Sequence, residues 1–403
     1  MNCNATIILG AGASIDFVNE HHLTSGDILR QILSQNAWQN LFNKQCKHID
    51  RTPNIEHIVK LLEQISYEVS NFEDLIEIVD KVSTLSNPNK FTDSLLVKSL
   101  KHVDNIQIGD INDNLELINL PFYIRELISD FVTTYNTSLL TNYSIERLEE
   151  QTIFLKTLSQ WCDKLSIHSM NYDDCIMHSA SKLEIGNYFD AIGKFDKEAF
   201  MSAKKVLTHL HGSPHFVPVY QYIAGDSSIV RFTNYTSDAS DERWKIARIH
   251  TGLYTNGIVC PDFNHYITTG RSKGSHFYNQ PYSAYYSRLI NDIDQSDIIL
   301  IVGYSFGDQH INQLLKGNKK ALIIVVDFES DTNAYANNIY KLIDILDCRF
   351  FDSYDNSNIR FITEQLKYRG YSKIDYSNII YYRKGYLSFL REYKMILQEY
   401  SSI

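Results

Sequence analysis

The 403 residues are 44% hydrophobic and carry a net charge of -10, which supplies a large core and the wrong overall sign for unspecific nucleic-acid binding. No apolar run approaches the ~20 residues that span a bilayer and the N-terminus lacks a secretory leader pattern, so a cytoplasmic address is expected, with no membrane partner and no direct nucleic-acid binding. Six cysteines without a C-x-x-C pair point to reduced, buried thiols rather than a zinc ribbon or a disulfide framework.

Residues 6–9 read as a buried strand running into Gly10-Ala11-Gly12-Ala13-Ser14. Such a turn lets backbone N–H groups approach a pyrophosphate, and a helix is predicted to begin near Ser14. The third glycine of the dinucleotide fingerprint is missing, so a turn that binds nothing fits the same letters. Apolar residues then recur at helical spacing: Ile28, Leu29, Ile32 and Leu33, next Ile55, Ile58, Val59, Leu62 and Ile65, then Phe72, Leu75, Ile76 and Val79. Asn71 is placed as the cap of the third helix, and Pro121 in the first turn of a further one carrying Ile124, Leu127, Ile128 and Phe131. Residues from about 20 to 160 thus read as a helical insertion.

A helix over 154–165 precedes a strand at 166–170, and Asn171-Tyr172-Asp173-Asp174 opens the next helix. A strand at 206–210 ends at His211-Gly212-Ser213, and another is expected at 257–260 before Pro261. The strand 298–302 leads into Gly303-Tyr304-Ser305-Phe306-Gly307-Asp308 and an amphipathic helix with Ile311, Leu314 and Leu315; 321–326 is a strand ending at Asp327, and a last helix lies near 386–400. Buried strands alternating with helices predict an α/β fold: a Rossmann-like parallel sheet with helices on both faces and a helical subdomain inserted after the first strand. The expected division is a nucleotide-binding catalytic domain over 1–330 and a C-terminal extension over 331–403 for packing or oligomerisation.

In such a sheet the ligand lies outside the carboxyl ends of the strands. Gly10, Ala11, Gly12 and Ser14 then form a phosphate cradle, Gly303, Tyr304 and Ser305 a second backbone approach, and Asp327 a carboxylate for ribose hydroxyls. Asn171, Asp173 and His211 supply the polar groups for chemistry. The residues alone also fit plainer roles, with Asn171 capping a helix, Asp173 and Asp174 in its first turn, and His211 bonding a turn.

Taken in order, Gly-Ala-Gly-Ala-Ser at 10–14, Asn171-Tyr-Asp173, His211-Gly212 and Gly303-Tyr304-Ser305 resemble the sirtuin-like superfamily. Leu210-His211-Gly212-Ser213, Ile267-Thr268-Thr269-Gly270 with Lys273, and the run from Gly303 to His310 and Asn312 resemble its bacterial branch used in antiphage defence. The resemblance covers roughly residues 1–20 and 160–328, without the four-cysteine zinc module or the Pro-Asp-Phe-Arg segment of the deacylases. It implies an NAD+ glycohydrolase that uses NAD+ as substrate and no metal, and yields ADP-ribose and nicotinamide. Because the nicotinamide ring of NAD+ is already cationic, it leaves without a general acid, and the barrier lies in an oxocarbenium-like ribose. On that reading Asn171 holds the ribose or the attacking water, Asp173 orients the nicotinamide side or supports Asn171, and His211 polarises a hydroxyl or water as a base. The resemblance further implies abortive infection through NAD+ depletion, a ring-like homo-oligomer and a HerA-type ATPase partner. A non-catalytic module sensing ADP-ribose or NAD, and an NAD-dependent protein deacylase, are the alternatives.

Overall fold

The computed structural model describes residues 3–17, 25–48, 53–67, 69, 71–86, 114–142, 145–219, 229–254, 266–268, 279–318, 320–328, 342, 344–345, 356–374 and 378–400. Its centre is a seven-stranded sheet built from β1 (Asn4–Leu9), β2 (Lys164–Ser169), β3 (Lys205–His209), β6 (Ile298–Val302), β7 (Leu322–Val326), β8 (Tyr371–Lys373) and β9 (Ile379–Tyr382). A separate antiparallel pair is formed by β4 (Phe216–Pro218) and β5 (Val230–Phe232). The order in the sheet is β3-β2-β1-β6-β7-β9-β8, parallel except for β8 on β9. Counting only the parallel strands, this is the doubly wound 3-2-1-4-5-6 arrangement, whose order reverses between β1 and β6.

The apolar runs make strands because both faces of the sheet are covered. Ile8, Ile299, Ile301, Ile323 and Val325 pack on one side with the helices Tyr282–Gln295 and Gln309–Gly317 and the helical insertion. Ile7, Leu9, Ile167, Leu300 and Val326 pack on the other with the helices Ile145–Trp161, Cys175–Ser181 and Tyr386–Tyr400. Adjacent residues of one strand thus enter different cores, as the two-residue period requires.

The insertion contains Ser25–Ile32, Gln35–Lys44, Ile55–Ser66, Phe72–Ser86 and Asn114–Asn142 as α-helices. Asn71 caps the fourth, its Oδ1 accepting the Asp74 N–H at 2.9 Å. Pro121 corrects the expectation of a helix start, because it lies inside Asn114–Asn142. The neighbouring Leu120, Phe122 and Ile124 are buried, and that packing overrides proline's preference for a first turn. The expected helix over 154–165 begins earlier and ends at Trp161, so that Lys164 and Leu165 join β2. The turn after β1 is a 3-10 helix, Ala11–Phe17, starting three residues before Ser14. Its Asp16 carboxylate accepts the Leu387 N–H at 2.8 Å and so caps the last helix. The strand expected at 257–260 lies outside the described residues.

Candidate functional site

The crevice lies at the order reversal, where the loops after β1 and β6 meet. Gly10 N–H donates to Val302 O and Gly12 N–H to Gly303 O, each at 2.9 Å. A Cβ on Gly12 would stand 2.7 Å from Gly303 Cα, and one on Gly303, at φ +58°, 2.2 Å from Ala13 N. Glycine is therefore required for the two loops to touch backbone to backbone. The Gly10 N–H is taken by the end of β6 and the Gly12 N–H by the loop that follows it, and Ala11, Ser305 and Gly307 are the exposed residues of the two loops.

Behind this contact sits a buried polar group of three side chains. Ser14 Oγ donates to Asp173 Oδ2 at 2.7 Å and accepts from Asn171 Nδ2 at 3.2 Å. Asp173 Oδ1 accepts the Cys175 N–H at 3.0 Å, and the Asn171 N–H donates to Ser169 Oγ at 3.1 Å. Because the next helix begins at Cys175, Asn171 is not its cap; Asp173 bonds that end while also holding Ser14. Burial pushes the Asp173 carboxyl up to about 6, against the pull of Ser14 and the Cys175 N–H. Asn171 is 8% exposed, and its Oδ1 meets no donor among the described residues. A buried carbonyl oxygen left this way is costly and suits a ligand N–H or O–H.

His211 follows β3, and its Nε2 lies 3.5 Å from Asp308 Oδ2. Asp308 caps the helix Gln309–Gly317 through its Oδ1, which takes the His310 N–H at 3.0 Å. The loop carrying it is stapled by Asn312, whose Nδ2 donates to Phe306 O at 2.9 Å, and by Tyr304 Oη, which accepts the Asp308 N–H at 3.1 Å. The segment 266–268 lies across His211: the Thr268 N–H donates to His211 O and the Ser213 N–H to Tyr266 O, both at 2.8 Å. Tyr172 Oη also reaches Thr268 O, at 3.3 Å. Asn171, Asp173, Ser14, Gly303 and Tyr304 thus gather around the crevice, with His211 tied to them through Asp308. The Asp327 backbone N–H donates to Tyr382 O in β9, and its Oδ1 accepts the Phe328 N–H at 2.8 Å.

The insertion reaches the same place. Arg125 Nε donates to Ile267 O at 3.0 Å while its two terminal nitrogens hold Asp80 at 2.9 and 2.8 Å. The fully buried Arg243 pairs with Glu126, donates to Pro214 O at 2.8 Å and lies 4.5 Å over the Tyr266 ring. Glu73, at the start of the helix Phe72–Ser86, raises the Tyr172, Tyr286 and Tyr304 hydroxyl pKa values together with burial, and Asp308 adds to this at the last two. Sequence reasoning missed Glu73 and gave Asp308 no part in the site; the four-residue spacing of Asp308 and Asn312, one helical turn, was the readable trace of the stapled loop.

Residues 166–322 match the family model described as SIR2-like domain. The match supports a sirtuin-like family. It takes in Asn171, Asp173, His211, Gly303, Tyr304 and Ser305, begins in β2 and ends at the first residue of β7. No curated protein matches the chain. The SIR2-like family is an NAD-dependent enzyme class, and the match suggests an NAD-related activity. Among the described residues no group of histidine, cysteine, aspartate or glutamate is arranged to hold a metal ion, and no helix is long and apolar enough to cross a membrane.

Proposed function

We propose that the chain hydrolyses the bond between ribose and nicotinamide in NAD+, releasing ADP-ribose and nicotinamide. The observation that carries this is the Asn171 side chain, fixed through Nδ2 by Ser14 with its Oδ1 buried and undonated at the carboxyl end of β2. That oxygen suits a ribose hydroxyl or an attacking water. Asp173 holds Ser14, and through it Asn171. The carboxylate of Asp308 beside His211 Nε2 stabilises positive charge on the ring as it takes a proton. The carboxylates of Glu73 and Asp308 favour both a cationic nicotinamide and the charge that develops on the ribose. Phosphates are assigned to the Gly10–Ser14 and Gly303–Ser305 loops, and ribose hydroxyls to Asp327. The wider proposal is NAD+ depletion in antiphage defence by abortive infection, in a homo-oligomer controlled by a HerA-type ATPase. The test is chromatography of NAD+ and ADP-ribose with the purified chain, Asn171→Ala and His211→Ala. Each variant should lose on the order of a hundredfold or more in turnover. Turnover unchanged in both refutes the assignment, and binding of NAD+ without cleavage under any condition transfers the site to a sensor.

A further inference from the structure

A second cavity opens on the far side of the Asp173-Asp174 turn. It holds ≈ 500 Å³ and is lined by Asn136, Asp174, Met177, Leu207, His215 and Phe232 among others, but by none of Ser14, Asn171, Asp173 and His211. That room suits a small organic ligand.

Its polar groups are fixed by partners elsewhere. Asn136 lines the cavity and is 8% exposed; its Oδ1 accepts the Asp174 N–H at 3.2 Å, and its Nδ2 is buried with no acceptor among the described residues. The Thr233 carbonyl, 2.8 Å from His215 Nδ1, can only accept, so Nδ1–H donates to it, and Nε2 faces both Asp174 oxygens at 3.1 Å. Phe232 stacks on the same imidazole at 5.1 Å between centroids. The Asp174 side chain is still 27% exposed, so its carboxylate retains room for a further donor. Leu207 and Met177 supply apolar wall, and no lysine or arginine stands among the described residues that line the cavity. A phosphate would have only His178 and His215 to meet it, the latter already held by Asp174, and would face the Asp174 and Glu184 carboxylates.

We infer that this cavity binds a phosphate-free nitrogen heteroaromatic of nicotinamide or adenine size, presenting an acceptor to Asn136 Nδ2 and an adjacent N–H to Asp174. A carboxamide and the amino edge of a purine both carry that acceptor–donor pair. The site is separate from the NAD+ crevice and stands whether or not NAD+ is cleaved there.

The experiment is calorimetric titration of the full chain with nicotinamide and, separately, with adenine, using the wild type, Met177→Trp, Asn136→Asp and Asn171→Ala. Tryptophan at the half-buried Met177 fills the cavity from a helix surface, while aspartate at 136 keeps the acceptor for the Asp174 N–H and removes only the free donor. At least one ring should bind with a Kd on the order of 1 mM or tighter. That binding should weaken at least tenfold in Met177→Trp and in Asn136→Asp, persist in Asn171→Ala, and not be displaced by ADP-ribose. No binding of either ring to the wild type overturns the proposal, as does binding that survives Met177→Trp or that Asn171→Ala removes. In that last case the ring occupies the crevice, and the reading of Asn171 is strengthened while the second site falls. Circular dichroism melts of the two cavity variants show whether a loss reflects unfolding, and Asn136→Asp remains decisive where Met177→Trp fails to fold.

Discussion

Asp173→Asn should make the protein more stable and less active, with a stability gap that grows with pH. In the folded chain burial moves the carboxyl from its ordinary 3.8 to about 6, so between those values the native state binds more protons than the unfolded one. Stability contributed by the protonated group is therefore complete below 3.8 and is lost as the pH rises through 6. The displacement of roughly two pH units corresponds to about 3 kcal/mol of destabilisation at pH 8 and about half of that at pH 5. Asparagine carries no charge to bury; its single amide oxygen can keep the Cys175 N–H, while its Nδ2 meets Ser14 Oγ as a donor in place of the carboxylate oxygen that accepted from it. Urea denaturation of both proteins at pH 5, 6, 7 and 8 reads the difference directly. Asp173→Asn should gain about 1.5 kcal/mol on the wild type between pH 5 and 8, with turnover of NAD+ falling at the same time. A gap that is flat across this range, or a wild type more stable than the variant at pH 8, would show that Asp173 is not held as a costly buried carboxylate.

Three further outcomes follow from the packing. Gly303→Ala places a methyl 2.2 Å from Ala13 N at φ +58°, and a loss of about 2 kcal/mol or more is expected by chemical denaturation. Arg243→Leu leaves Glu126 buried without its partner and should cost about 3–5 kcal/mol, whereas the double change with Glu126→Leu should recover much of that; the same assay compares them. Asp16→Ala removes the cap on Leu387 N–H and should lower stability by about 1 kcal/mol, with amide exchange quickened at the start of the last helix.

The sheet was legible because strands such as β6 and β7 are covered on both faces and so appear as unbroken apolar runs bounded by polar residues. The candidate groups were legible for a related reason: in this topology each strand end opens on the crevice, so the letters after β1, β2, β3 and β6 name its wall. What the letters did not show are contacts between distant segments. Gly10 and Gly12 read as phosphate glycines, yet their first constraint is the backbone of Gly303, almost three hundred residues away in sequence. Asp16, two residues past the glycine loop, is the cap of a helix at the opposite end of the chain. Glu73 lies in an insertion whose periodicity states only which face is apolar, and nothing in that pattern says that its first turn reaches Tyr304. Pro121 shows the converse, a local preference overruled by packing.

The most direct test of the central claim is product analysis with the purified chain, alone and with a HerA-type ATPase, beside Asn171→Ala and His211→Ala. The account predicts ADP-ribose and nicotinamide in equal amounts from the wild type and at most about a hundredth of that rate from either variant. Cleavage that continues unchanged in both variants, or a wild type that binds NAD+ and never cleaves it, contradicts the account.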